Sequence, residues 1–130
     1  MSDPSFALQV ALVDLLSTGL EPLGCPVYDG APLDSPRPYL SIDSEISNAA
    51  DFLNSRIDQR FLYLSVWSDF QGQQEVKKLM AAVDDLLSNS RLTLDTGRAF
   101  GLQIVRKQSQ REPDGVTYQG AITLRIYTQH

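Results

Sequence analysis

The stretch from Ile57 to Ser68 constrains the fold most. Leu62, Leu64 and Val66 alternate there with Phe61, Tyr63 and Trp67. Successive side chains of extended backbone point to opposite faces, so this pattern predicts a strand. Both of its faces are apolar. A strand at the edge of a solvated sheet has no reason for that, so this one is expected inside a sheet with something covering its second face. A partner precedes it. In Tyr39–Ser47, Leu40, Ile42 and Ile46 fall on one side and Ser41, Asp43 and Glu45 on the other, with a loop around Asn48–Ser55 joining the two strands. A second pair is expected at about Phe100–Gln110 and Val116–Thr128. Its connection, Glu112-Pro113-Asp114-Gly115, has proline to preset φ and glycine to tolerate a positive one.

Two helices complete the pattern. The first is expected to be capped by Asp3, to begin at Pro4 and to stop at Gly19, with Phe6, Val10, Val13 and Leu16 as its stripe and Leu8, Leu12 and Leu15 widening it. The second carries Val76, Leu79, Met80, Val83, Leu86 and Leu87 on one face, with Ser68 or Asp69 as the cap and Ser88-Asn89-Ser90 as the stop. Five prolines between Leu20 and Pro38 forbid helix and central strand over most of that span, except for a short extended piece around Cys25–Tyr28. Another short extended segment is read at Leu92–Leu94. The order predicts an α+β domain: two hairpins joined in one antiparallel sheet, with helices packed over at least one face. No repeat or linker divides residues 1–130, and 130 residues suffice for one core.

Composition narrows the chemistry. The apolar stretch Phe6–Leu16 is interrupted by Gln9 and Asp14 and is short for a bilayer span, and no basic flank of a secretion signal precedes it. A soluble protein made in the cytosol is therefore expected. A single cysteine, Cys25, excludes an intrachain disulfide and reads as an inert packed thiol. The one histidine, His130, is a poor candidate for a positioned catalytic role, and no phosphate loop, nucleophile–base set or cysteine cluster is present. Asp84 and Asp85, near Asp69 and Glu75 in sequence, point about 100° apart on a helix and read as a solvated face rather than a metal site. Asp43 and Glu45, sharing a strand face, read as a rim or interface pair. No catalytic residue, metal ligand or cofactor is predicted.

Charge and aromatics carry more. The net charge is −5, which argues against a dedicated duplex-DNA binder. Residues 1–55 hold eight acids and only Arg37, whereas residues 98–130 hold five bases (Arg98, Arg106, Lys107, Arg111, Arg125) and two acids. Such halves suit contact within the fold or pairing between copies. Tyr39, Phe61, Tyr63, Trp67 and Tyr127 lie opposite the aliphatic strand face. They are either ordinary core beneath a helix on each face or a contact surface between copies; stacking on single-stranded nucleic acid is the weaker third reading.

Several strings, in order, carry a resemblance. Val27-Tyr28-Asp29, Ala31-Pro32 and Pro38-Tyr39-Leu40 lead into the first long strand; Leu64-Ser65-Val66-Trp67-Ser68 runs toward a helix containing Ala81-Ala82-Val83; Pro113-Asp114-Gly115 precedes the last strand. Over roughly residues 6–128 the chain resembles the tail-completion, or tail-terminator, proteins of long-tailed bacteriophages and gene transfer agents. The polar loop Ser47–Ser55 matches no motif of that family. The resemblance implies a non-enzymatic role without cofactors: a hexameric ring at the head-proximal end of the tail tube that stops tube polymerisation and offers a surface to the head connector. The implied partners are further copies of the chain, the major tail tube protein and a connector or adaptor, with DNA only passing through the lumen and no membrane. The implied location is the virion tail, assembled in the host bacterial cytoplasm. The residues expected between subunits are Tyr39, Asp43, Glu45, Asp51, Tyr63, Trp67, Arg106, Lys107, Arg111, Arg125 and Tyr127. The rival readings are a head–tail adaptor or tube subunit of the same particle, and a bacterial ligand-binding regulatory module.

Overall fold

The computed structural model describes residues 3–30, 35–70 and 72–130. Helix α1 (Ser5–Leu20) leads through a 3-10 turn (Glu21–Leu23) to β1 (Val27–Tyr28), β2 (Tyr39–Ala49), β3 (Ile57–Ser68), α2 (Gln74–Ser88), β4 (Arg98–Arg111) and β5 (Tyr118–Gln129). The strands form one sheet in the order β1-β2-β3-β5-β4. The hairpins β2–β3 and β4–β5 are antiparallel, as the alternation predicts, and the structure joins them through β3 and β5. The short piece at Val27–Tyr28 adds a parallel edge beside Leu40 and Ser41. Of the strings that carry the family resemblance, Ala31-Pro32 lies outside the described residues, as does one of the five prolines, Pro32.

Both helices pack on one face of the sheet. Leu62, Leu64 and Val66 of β3 join Ile122, Leu124 and Ile126 of β5 in a core closed by Leu8, Leu12, Leu16 and Leu20 of α1 and by Val76, Leu79, Met80, Val83 and Leu87 of α2. Gly120 permits the close crossing of α2, since a Cβ there would lie 2.5 Å from the Met80 sulfur and 2.8 Å from Val76. The helix-on-each-face reading of the aromatics is thereby corrected. No described element of this chain covers the second face of β3.

The helix ends also differ from expectation. Pro4 stands at the cap position of α1, one residue earlier than read, while Asp3 Oδ1 accepts a hydrogen bond from the Ser5 N–H at 2.9 Å. Gly19 does not stop the helix; it lies against Leu86 of α2, and the turn ends at Gly24, whose φ of +67° suits glycine. The buried stripe is Leu8, Leu12, Leu16 and Leu20, whereas Phe6 is 75% exposed and Val10 is exposed too. With the 3-10 turn, Ser5–Leu23 makes 19 residues of mean hydropathy 1.3, long and apolar enough to cross a membrane by length and composition, although its leucine stripe is buried in the core. Helix α2 starts after Gln73, so neither Ser68 nor Asp69 caps it. Ser68 instead donates to Glu75 in its first turn at 2.6 Å. Leu92 and Leu94 pack against the core without forming a strand, and Val116 sits exposed in the turn before β5.

One irregularity reassigns faces along β2. Between Ile42 and Ser44 the register with β3 shifts, so Ile42 opposes Leu64 and Ser44 opposes Tyr63, with Asp43 the extra residue. An extra residue inverts the parity of everything beyond it. Ile46 therefore turns to the open face, where it is 51% exposed, and Glu45 turns to the helix face opposite Leu62. The expectation that Asp43 and Glu45 share a face is corrected by this bulge.

Candidate interaction surface

The open face of the sheet is built by the odd-numbered positions of β3 and β5. In β3 these are Phe61, Tyr63, Ser65 and Trp67; in β5 they are Gln119, Ala121, Thr123, Arg125 and Tyr127. Tyr39 extends the face opposite Trp67, and Arg106 extends it opposite Thr123. The large side chains are half-buried by one another. Tyr39 packs edge-on against Tyr28 with ring centroids 5.8 Å apart and lies 6.4 Å from Trp67; Tyr127 stacks on Phe100 at 5.6 Å. Ring contacts of this kind hold aromatic side chains in fixed rotamers without covering their outer surface.

Hydrogen bonds stiffen the same face. The Asp43 carboxylate accepts from Ser41 Oγ at 2.8 Å and Ser65 Oγ at 2.5 Å, and Trp67 Nε1 donates to Ser41 Oγ at 3.1 Å. Gln119 Nε2 donates to Ser65 Oγ at 2.9 Å. Toward β4, Arg125 lies over the Tyr127 ring at 5.7 Å and donates to Gln103 Oε1 at 2.5 Å, while its Nε is shielded from solvent and has no hydrogen-bond partner among the described residues. Arg106 donates to Gln108. The surface thus carries an acid on the β2 side, cations on the β5–β4 side, and aromatic rings between them.

The structure brings seven of the residues predicted to lie between subunits onto this face: Tyr39, Asp43, Tyr63, Trp67, Arg106, Arg125 and Tyr127. The other four lie elsewhere. Glu45 is on the helix side, where it accepts from Arg60 at 3.1 Å and from Ser5 at 2.8 Å. Lys107 is also on that side, paired with Asp84 of α2 at 2.8 Å, and this bond, with that from Ser88, holds the Asp84 carboxyl below its ordinary range. Asp51 lies in the β2–β3 hairpin loop and accepts from the Ile57 N–H at 3.0 Å. Arg111 is exposed at the end of β4 opposite Tyr118.

Arg60 was not anticipated. Its side chain is 1% exposed beneath the N-terminus of α1, ion-paired with Asp3 at 2.6 Å, Glu45 at 3.1 Å and Asp58 at 3.1 Å. It also donates to Thr128 and Ser47. The sequence signal was its even-numbered position, which puts it on the aliphatic face with Leu62, Leu64 and Val66. The His130 side chain is buried beside the group with Nε2 3.2 Å from Asp58, although neither ring nitrogen has a hydrogen-bond partner among the described residues. Asp3, Asp58 and His130 present ligand atoms within 4.8 Å of one another. Asp3 and Asp58 already pair with the Arg60 guanidinium at 2.6 and 3.1 Å, so both carboxylates belong to that ion-pair group. Cys25 is buried, and burial, followed by the charge of Glu75, pushes its thiol up to about 11, so little thiolate forms at neutral pH.

Among the described residues, the open face thus sets half-buried aromatic rings between Asp43 and the two arginines. The profile of the family described as "Tail completion protein gp17" matches residues 10–129. This chain belongs to that family. A chain in the virion of a native gene transfer agent particle is similar over 100% of both chains, with 25% identity and a TM-score of 0.85. The gp17 protein of bacteriophage SPP1 is similar over 94% of this chain and 88% of its own, with 24% identity and a TM-score of 0.62, which shows the shared fold. No curated protein matches. This tail-completion protein is accordingly a structural component of a phage or gene-transfer-agent virion, as the ordered strings in its sequence imply.

Proposed function

We propose that this tail-completion protein closes the head-proximal end of the tail tube as a six-fold ring, halts tube polymerisation and presents the docking surface for the head connector. The role is one of adhesion and shape, without a chemical step. The observation that carries it is the open aromatic face, with Asp43 on one flank and Arg106 and Arg125 on the other. A ring requires two different patches of one subunit to meet, and a surface polarised across the sheet supplies unlike flanks. Exposed ion pairs contribute only about 0–1 kcal/mol each. Aromatic contact therefore supplies most of the affinity, and charge selects the orientation. The partners in this reading are further copies, the major tube protein below and a connector or adaptor above, with DNA crossing the lumen.

Adding the purified protein to growing tubes tests the proposal. Capping yields shorter tubes whose ends carry this chain, whereas a tube subunit would lengthen them and an adaptor would leave their length unchanged. Particles lacking the protein should carry tails of uncontrolled length. Tails of normal length in its absence would refute the reading.

A further inference from the structure

The β2–β3 hairpin ends in two apolar side chains that face solvent: Phe52 is 67% and Leu53 87% exposed. Neither contributes to the core. The tip is nevertheless shaped. Phe52 and Ser55 exchange backbone hydrogen bonds at 3.2 and 2.9 Å, Asp51 accepts from the Ile57 N–H, and Leu53 takes the left-handed region at φ +53°. A non-glycine residue rarely adopts that conformation, and here it holds a leucine outward at the apex.

A cleft of about 690 Å³ opens at the other side of the sheet, beneath the segment that joins α2 to β4. Leu87, Leu92, Leu94 and Leu102 line it, together with Arg91 and Arg98. That volume falls within the roughly 300–1,000 Å³ of pockets that enclose small ligands. Knob and cleft are also aligned. Ile57 at the base of the hairpin opposes Gln129, and Gln129 opposes Arg98 at the start of β4, so both features lie at one end of the strands. Laterally they are at opposite margins. Beyond Ser41, β2 has only β3 as a partner among the described residues, and β4 has only β5.

We propose that the Phe52–Leu53 tip of one copy seats in the cleft beneath residues 88–102 of the adjacent copy. The proposal rests on the ring reading and names the contact that would close it. Rotation about an axis roughly along the strands keeps each feature at its own height. A knob and a hole at equal height on opposite margins can therefore meet around a closed cycle. Charge is compatible with the same pairing, because Asp51 and Arg56 flank the knob while Arg91, Asp95 and Arg98 lie in the segment bordering the hole, so each margin offers partners of opposite sign to the other. A second copy is thus the occupant.

Two measurements on the full-length protein test the contact. Phe52→Cys combined with Leu94→Cys, assembled into tails and oxidised, should give a ladder of disulfide-linked multimers on a non-reducing gel, at least tenfold above either single variant. Buried Cys25 adds no background. Separately, Phe52→Asp should keep the wild-type melting temperature, because the side chain is exposed, yet require at least tenfold more protein to cap tubes. The proposal requires both results. Absence of the ladder from tails that contain the double variant, linkage to a tube or adaptor protein instead, or capping by Phe52→Asp at the wild-type concentration each overturns it. These outcomes leave capping by the wild-type chain as a separate result, so the ring reading stands or falls independently.

Discussion

Replacing Arg60 by alanine should cost far more than any surface ion pair suggests. The guanidinium makes five hydrogen bonds, to Asp3, Glu45, Ser47, Asp58 and Thr128, from a side chain that is 1% exposed. Removing one partner of a fully buried pair costs roughly 3–5 kcal/mol, because the charge left behind is uncompensated. The acids here are partly wet, with side-chain exposures of 59% for Asp3, 25% for Glu45 and 18% for Asp58. Water therefore recovers part of that loss, while the vacated stem leaves a gap that adds to it. Together these place Arg60→Ala at about 3 kcal/mol, a melting temperature lower by roughly 10 °C for a domain of this size. Arg60→Met keeps the stem and should cost about 1–2 kcal/mol. Asp3→Asn, at the exposed end of the group, should cost less than about 1 kcal/mol. Urea unfolding followed by the fluorescence of the single tryptophan, Trp67, measures all three. A loss below about 1 kcal/mol for Arg60→Ala, or one equal to that of Asp3→Asn, would show that the buried cation does not tie α1 to the sheet.

Other outcomes follow from the same geometry. Tyr63→Glu and Arg125→Glu on the open face should abolish tube capping while changing stability by no more than about 1 kcal/mol, since neither side chain enters the core; light scattering across salt concentrations should also show weakened self-association, and a ring indifferent to Arg125→Glu and Arg106→Glu would reject the charge part of the interface. Gly120→Val should destabilise the fold by roughly 1–3 kcal/mol through overlap with Met80 and Val76, measurable as a lower urea midpoint. Acid should weaken the fold in a defined window. The Thr117 backbone and hydroxyl, with the Val116 N–H, lower the Asp114 carboxyl to about 2 from its ordinary 3.8. Asp3 is also lowered: burial pushes it up, but the Ser5 N–H and Arg60 outweigh that. A depressed folded pKa means stability that is fully present above about pH 4 and lost as pH falls toward 2. Asp114→Asn should flatten that part of the profile. Finally, Cys25 should react with a thiol reagent at pH 8 only on the timescale of unfolding, which a kinetic thiol assay reports.

Much of this protein was legible from period alone. The alternation in β3 and β5 and the leucine-rich stripe of α2 identify elements and their faces locally, because side-chain direction follows directly from backbone type. The turn at Glu112–Gly115 was readable for the same reason: its residues act on their own φ and on neighbouring N–H groups. Tail completion was legible too, through the order of short strings rather than through any one of them.

Tertiary structure decided which face of the sheet received the helices. Period 2 separates Leu62, Leu64 and Val66 from Phe61, Tyr63 and Trp67, but it cannot say that only the first set will be covered. The bulge at Asp43 was likewise invisible, since one extra residue inverts the faces of Glu45 and Ile46 without changing the alternation on either side. Arg60 read as an ordinary charge and Lys107 as one between subunits, because Asp3 and Glu45, which receive Arg60, and Asp84, which receives Lys107, come from other elements. Local chemistry sets what a segment can become; contacts between residues far apart in the chain set which of its surfaces remains for another molecule.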